Sequence, residues 1–243
     1  MITQEVVANH VSATLEAARQ GFVEILCDLV SVHIFGPAAL AATLEFAARF
    51  AMDISPLQSS NYPPWRYRLR KMLQRYDSDL NNRNGTGYPN SKIKAFVEWL
   101  KTGHQLTAGD GDIRVIDAHI VTREAYQFIS DHWDETSKKV LAMLPKELAK
   151  PYLMHERHDL IAKMIERLRY GVPPNEICHL SKQPACFQDI LTAGWAYKID
   201  QIANNPSWGS PDEYNLLFRL ILKACESSYV HSEWGKRIIA EEQ

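Results

Sequence analysis

At 243 residues the chain is long enough for one large domain or two small ones, and a composition 46% hydrophobic and 23% charged is that of a globular protein with a core to bury. A formal charge of −2 excludes the basic excess of an autonomous DNA-binding protein, so any nucleic-acid contact has to be local. The four cysteines, Cys27, Cys178, Cys186 and Cys225, form no CxxC pair, and MITQEVVANH lacks a basic stretch followed by an apolar one; both point to a reduced, cytoplasmic protein.

In chain order, residues 3 to 34 place Val7, Val11, Leu15, Ala18, Phe22, Ile25, Leu26, Leu29 and Val32 at steps of three and four, which predicts one long amphipathic helix packed along its length. Gly36-Pro37 punctuates, and AALAATLEFAARFAM predicts a buried Ala-rich helix; with Gly36, Pro37, Glu45 and Arg49 inside it, the stretch 35–52 falls short of the roughly 20 apolar residues of a bilayer span. DISPLQSSNYPP, 53–64, reads as a loop. WRYRLRKMLQRY, 65–76, carries Arg66, Arg68, Arg70, Lys71 and Arg75 without one acid, interleaved with Trp65, Tyr67 and Tyr76. Its plainest reading is a helix with Trp65, Leu69, Met72 and Leu73 inward and solvated arginines. The functional reading is a patch that grips phosphates, stacks on bases or docks on an acidic partner, with Trp65 and the five cations as binding residues.

Residues 77 to 91 read as a mobile loop whose DSDLNNRNG departs from a calcium-binding loop at the Gly and the terminal Glu. A short helix follows in SKIKAFVEWLKTG, and 113–121 is the one expected strand, so the predicted fold is mainly α, an irregular multi-helix bundle with at most a β-hairpin or extended segment there. Beyond it come a helix from an N-cap at Thr122 to Pro145, one from about His155 to Tyr170 with Gly171 as its C-cap, one over 186–203, and one capped by Ser210 that leads into the C-terminus. The expected organisation is an N-terminal helical region, 1–105, and a C-terminal one, 106–243, or one continuous domain.

Two constellations invite chemistry. His158-Asp159 resembles the dyad of HD-type metal-dependent phosphohydrolases, an all-helical family in which an upstream His and a later Asp complete the metal site. Here those would be His132 or His155, and Asp189 or Asp200. The dyad also falls in the first turn of its helix, where an Asp is favoured by the dipole alone, and that reading costs less. His155, His158, Cys178, His179 and Cys186 lack the spacing of common structural zinc modules, so core thiols are expected and no metal or cofactor is assigned. GxSxG, P-loop and GxGxxG patterns are lacking, and no catalytic residue is nominated beyond the alternative pair His158 and Asp159. Gly194-Trp195, in the apolar run DILTAGW, marks a packing or docking centre, because a helical Gly costs about 1 kcal/mol against Ala and calls for a close neighbour.

RHDLIAKMIERLRYGVP (157–173), DILTAGW (189–195) and VHIFGPAALAATLEFA (32–47) together resemble the middle-component proteins of bacterial ABC-three-component conflict systems, including the accessory subunit of Lamassu-type defence. The resemblance covers about a third of the chain. It implies a helical, non-enzymatic connector in an antiphage or anti-plasmid complex, joining an ATPase of the SMC or Rad50 kind to a nuclease effector. It implies contact with DNA through those partners or through the basic segment, and no membrane. None of its residues is a partner contact carried over from the family, so the basic segment is nominated on chemistry alone.

Overall fold

A computed structural model of the protein describes residues 4–49, 63–80, 91–107, 120–175 and 184–241. Among them are eight α-helices, two short 3-10 turns and no sheet: α1 (Gln4–Phe35), α2 (Pro37–Ala48), α3 (Trp65–Leu80), α4 (Ser91–Thr107), α5 (Ile120–Ala142), α6 (His158–Arg169), α7 (Phe187–Asn204) and α8 (Pro211–Glu241). The mainly α architecture is therefore the one the apolar periodicity predicts. Of the expected extended segment, 113–119 lies outside the described residues, as do most of the loops at 53–64 and 77–91, while Ile120 and Val121 open α5. No described helix is long and apolar enough to cross a membrane.

The chain forms two compact units, each assembled from three stretches rather than from one side of residue 105: Met1–Ile34, Ala39–Asp77 and Thr102–Pro151 make the first; Phe35–Ala38, Ser78–Lys101 and Tyr152–Gln243 the second. In the first unit, Ala17, Ala18, Ile25 and Leu29 of α1 meet Tyr67 of α3 and Val121, Ala125, Tyr126, Ile129 and Trp133 of α5. Small residues make the approach possible: a Cβ on Gly21 would stand 2.7 Å from Ile129 Cδ1. Tyr67 stacks on Tyr126 at 5.6 Å between ring centroids, and its hydroxyl hydrogen-bonds Ser130. Leu40, Ala41, Leu44 and Ala47 of α2 are buried as its composition requires.

In the second unit α7 packs between α6 and α8. Ile161, Met164, Ile165 and Leu168 form the buried face of α6, and α7 buries Ile190, Ala193, Gly194, Ala196 and Ile199. Gly171, at φ +67°, ends α6 as predicted: Val172 N–H donates to Arg167 O (2.9 Å) and Gly171 N–H to Leu168 O (3.0 Å), a Schellman closure that a Cβ would strain. Ser210 Oγ accepts from Glu213 N–H at 3.3 Å, while the Glu213 carboxylate accepts from Ser210 N–H at 2.8 Å, so the expected cap of α8 is a full capping box.

Candidate functional site

The basic helix α3 is committed to the first unit's interior more than its charge suggests. Trp65, Tyr67, Leu69, Met72, Leu73 and Tyr76 are all buried, so the rings that would stack on bases are core. Arg68 is buried as well: its Nε and Nη2 donate to Asp28 Oδ2 and Oδ1 at 2.6 and 2.8 Å, Glu24 lies 3.7 Å away, and the guanidinium sits 4.6 Å from the Trp65 ring centroid. Burial pushes the Asp28 carboxyl above its ordinary range, and Arg68 pulls it back. Lys71 is half-buried, its Nζ 5.5 and 5.4 Å from the Tyr67 and Trp133 rings, and burial lowers its pKa.

Arg75, though exposed, donates to His33 Nδ1 at 3.1 Å, and His33 Nε2 donates to Leu148 O at 2.9 Å. With one ring nitrogen accepting and the other donating, His33 is neutral, in keeping with a pKa lowered by burial and by Arg75. Arg66 and Arg70 are half-exposed. Of the five cations nominated for a patch, Arg68 and Arg75 thus hold α3 to other parts of its own unit, and Lys71 is packed on aromatic rings.

The second unit centres its charge on Asp189, fully buried in the first turn of α7. Arg157 binds it side-on, Nε to Oδ1 at 3.2 Å and Nη2 to Oδ2 at 2.5 Å; Tyr152 donates its hydroxyl to Oδ1 at 2.9 Å, and Cys186 its thiol to Oδ2 at 2.9 Å. The Arg157 guanidinium is stabilised as a cation by those bonds, burial holds the Tyr152 hydroxyl well above its usual range, and burial followed by the Asp189 charge pushes the Cys186 thiol up to about 12. A thiol so held is a hydrogen-bond donor and not a nucleophile. At the other end of the same helix pair, Asp200 accepts from Arg169 Nη2 at 3.1 Å and Asn204 Nδ2 at 3.0 Å, and Lys92 of α4 pairs with Glu166.

This arrangement separates the residues that a metal site would need. His158 Nδ1 hydrogen-bonds His155 O at 3.0 Å, the Asp159 side chain is 86% exposed in the first turn of α6, and both downstream candidates, Asp189 and Asp200, are taken by arginines. Cys178 and His179 lie outside the described residues. Among the described residues, no three His, Cys, Asp or Glu side chains gather in a group that could hold a metal ion. Arg157, the anchor of the cluster, is not marked by its own sequence context; an acid within the apolar DILTAGW run is the signal that calls for such a partner.

Gly194 is where α8 crosses α7: a Cβ there would stand 2.8 Å from Ile221 Cδ1. Trp195 stacks on Trp99 of α4, 6.4 Å between centroids, and carries Lys198 Nζ at 4.5 Å on its ring; Lys198 also lies 5.2 Å from Tyr214, which meets Trp208 edge-on. The pair nominated from sequence is a packed centre within this unit.

Exposed apolar side chains concentrate on the terminal helices. Val7, Val11 and Leu15 of α1 are each about half exposed, although they continue the face that buries Ala18, Ile25 and Leu29. On α8, Phe218, Leu222, Tyr229, Val230 and Trp234 are exposed. No protein-family model matches the chain, and no curated protein or solved structure matches it either.

Proposed function

We propose that the protein is a non-enzymatic helical adaptor of a bacterial anti-plasmid or antiphage complex, linking an SMC- or Rad50-like ATPase to a nuclease effector. The observation that carries the adaptor reading is the α1 stripe: one apolar face serves the core from Ala18 onward and continues through Val7, Val11 and Leu15, where it is exposed. Such a continuation has the anchor spacing of a helix laid in a partner's groove. The buried charges fit the same reading, because Asp28, Asp189 and Asp200 are each spent on an arginine that holds helices together. The identity of the partners is drawn from the sequence resemblance, and in this reading DNA reaches the complex through the ATPase.

Co-expression with an SMC-like ATPase, followed by affinity capture, tests the proposal. The wild-type chain should retain the ATPase, and Val7→Glu with Val11→Glu and Leu15→Glu should release it without lowering the thermal midpoint. A chain that ignores both ATPase and effector overturns the adaptor reading.

A further inference from the structure

On α8, Phe218, Leu222, Cys225 and Tyr229 follow one another at steps of four, three and four, the a/d spacing of a coiled-coil seam. The helix packs on α7 through another face, where Leu217, Ala224 and Ser228 are buried and Ile221 meets Gly194. The stripe lies roughly a third of a turn round from that face. Phe218 is 65% exposed, Tyr229 58% and Leu222 47%, with Cys225 half-buried. Leu216, Val230 and Trp234 lie off the stripe, on a further side of the helix.

The stripe is its own complement. Read in either direction it runs aromatic, small or aliphatic, aliphatic or small, aromatic, so two copies laid antiparallel set Phe218 against Tyr229 of the second copy and Leu222 against its Cys225. Arg219 and Glu226 each follow a d-type residue on the same flank of the seam. Antiparallel helices bring such flanks together, and with this register Arg219 of each copy faces Glu226 of the other. A parallel pairing sets that flank against the positions of Ile221 and Ser228, which are occupied by contacts within the unit, and forms neither ion pair. The Arg219–Glu226 cross-pairs therefore favour a second copy laid antiparallel, while Asp212 and Glu233, one heptad further out on that flank, confine the favourable contact to the middle of the seam.

We infer that the Phe218, Leu222, Cys225 and Tyr229 face of α8 is a two-fold interface through which two copies of this chain associate antiparallel. Four apolar side chains per copy make a small interface, of the concentration-dependent kind. The adaptor reading is independent of it, since that rests on α1 and is tested by capture of a different protein.

Sedimentation velocity on the full chain, from about 1 to about 100 µM, reads the mass-action signature of such a dimer directly. The wild type should pass from monomer to dimer across that range, and Leu222→Glu should stay monomeric with an unchanged circular dichroism spectrum. Arg219→Glu should weaken association about tenfold or more, and adding Glu226→Arg should restore it to within about threefold of wild type, since the swap re-forms both cross-pairs. Both exchanged positions are on the outer flank, so these two variants report on association even if Leu222→Glu unfolds. A wild type that remains monomeric throughout overturns the inference, including when α8 captures some other protein instead. So does a dimer indifferent to Leu222→Glu, or a double charge swap that fails to recover what Arg219→Glu loses.

Discussion

Replacing Arg68 by Met separates a structural arginine from a nucleic-acid contact. The substitution keeps the stem that packs against Trp65 and removes the guanidinium from Asp28, whose side chain is only 11% exposed. What remains is a buried carboxylate whose protonation the Glu24 charge also favours. Breaking a buried pair from one side costs about 3–5 kcal/mol, and for a chain of this size that is roughly 6–20 °C in the transition of the first unit. The pH dependence has a definite sign. Burial already raises the Asp28 pKa in the fold, and loss of Arg68 raises it further above the unfolded value. The folded variant then binds a proton more tightly than the unfolded chain, so its stability falls as pH rises through that window and recovers below it. Differential scanning calorimetry at pH 7 and about pH 5 should therefore show the deficit shrinking on acidification. Arg68→Met with Asp28→Leu should regain most of the loss at pH 7, since removing both charges leaves none unpaired. A single variant within 2 °C of wild type, or a double variant no better than the single, would refute the assignment of Arg68 to the core.

Four further outcomes follow from the same contacts. Gly194→Ala should cost about 1 kcal/mol and Gly194→Val about 3, because helix propensity offsets part of the shift demanded of Ile221 in the first case and not in the second; equal melting points would refute the close crossing. Ser210→Ala removes the hydroxyl half of the α8 capping box and should lower stability by about 1 kcal/mol, read as a fall of roughly 2–4 °C in midpoint. With the Cys186 thiol held at about 12, iodoacetamide at pH 8 should label exposed Cys27 and leave Cys186 until the protein is denatured, as peptide mass spectrometry would record; early labelling of Cys186 would contradict its bond to Asp189. His158→Ala with Asp159→Ala should change stability by about 1 kcal/mol or less and leave metal content unaltered by elemental analysis, since Asp159 is exposed and supplies only a first-turn charge. Loss of bound metal, or of activity on a phosphodiester panel, would restore the phosphohydrolase reading.

What was legible in the sequence is what short-range chemistry decides. Gly171 ends α6 and Ser210 starts α8 because each closure uses atoms within a few residues, and the inward set of α6 follows from helical spacing alone. The partner of a buried charge is not local: Asp28 and Arg68 are forty residues apart in sequence, Arg157 and Asp189 thirty-two. Periodicity says that an acid lies beside an apolar face, as Asp28 does next to Leu29, without saying which arginine reaches it. The stripe of α1 shows the converse limit. Spacing marks Val7 and Val11 as inward, yet whether a face is covered depends on which elements come to it, and these two remain exposed. In α8 the spacing of 218, 222, 225 and 229 is as regular as that of the buried face, and only the packing shows which of the two is left exposed.

The segment from Tyr152 to Asp200 also shows why charges are buried at so unpromising a place. Arg157 stands immediately before α6 and holds Asp189 in the first turn of α7; Arg169, the last residue of α6, holds Asp200 near the end of α7. Both bonds tie matching ends together, so α6 and α7 run parallel, and the spans agree: twelve residues on one helix and eleven on the other, about 18 and 17 Å at 1.5 Å per residue. A slip of one turn would displace each arginine by about 5.4 Å and break both bonds at once. The apolar faces would tolerate that slip far better, because Ile161, Met164, Ile165 and Leu168 recur at the same turn spacing. Hydrophobic burial therefore favours the pairing of these helices, whereas the two buried carboxylates decide its register. That division of labour accounts for a fully buried Asp189 with no metal or catalytic duty assigned to it.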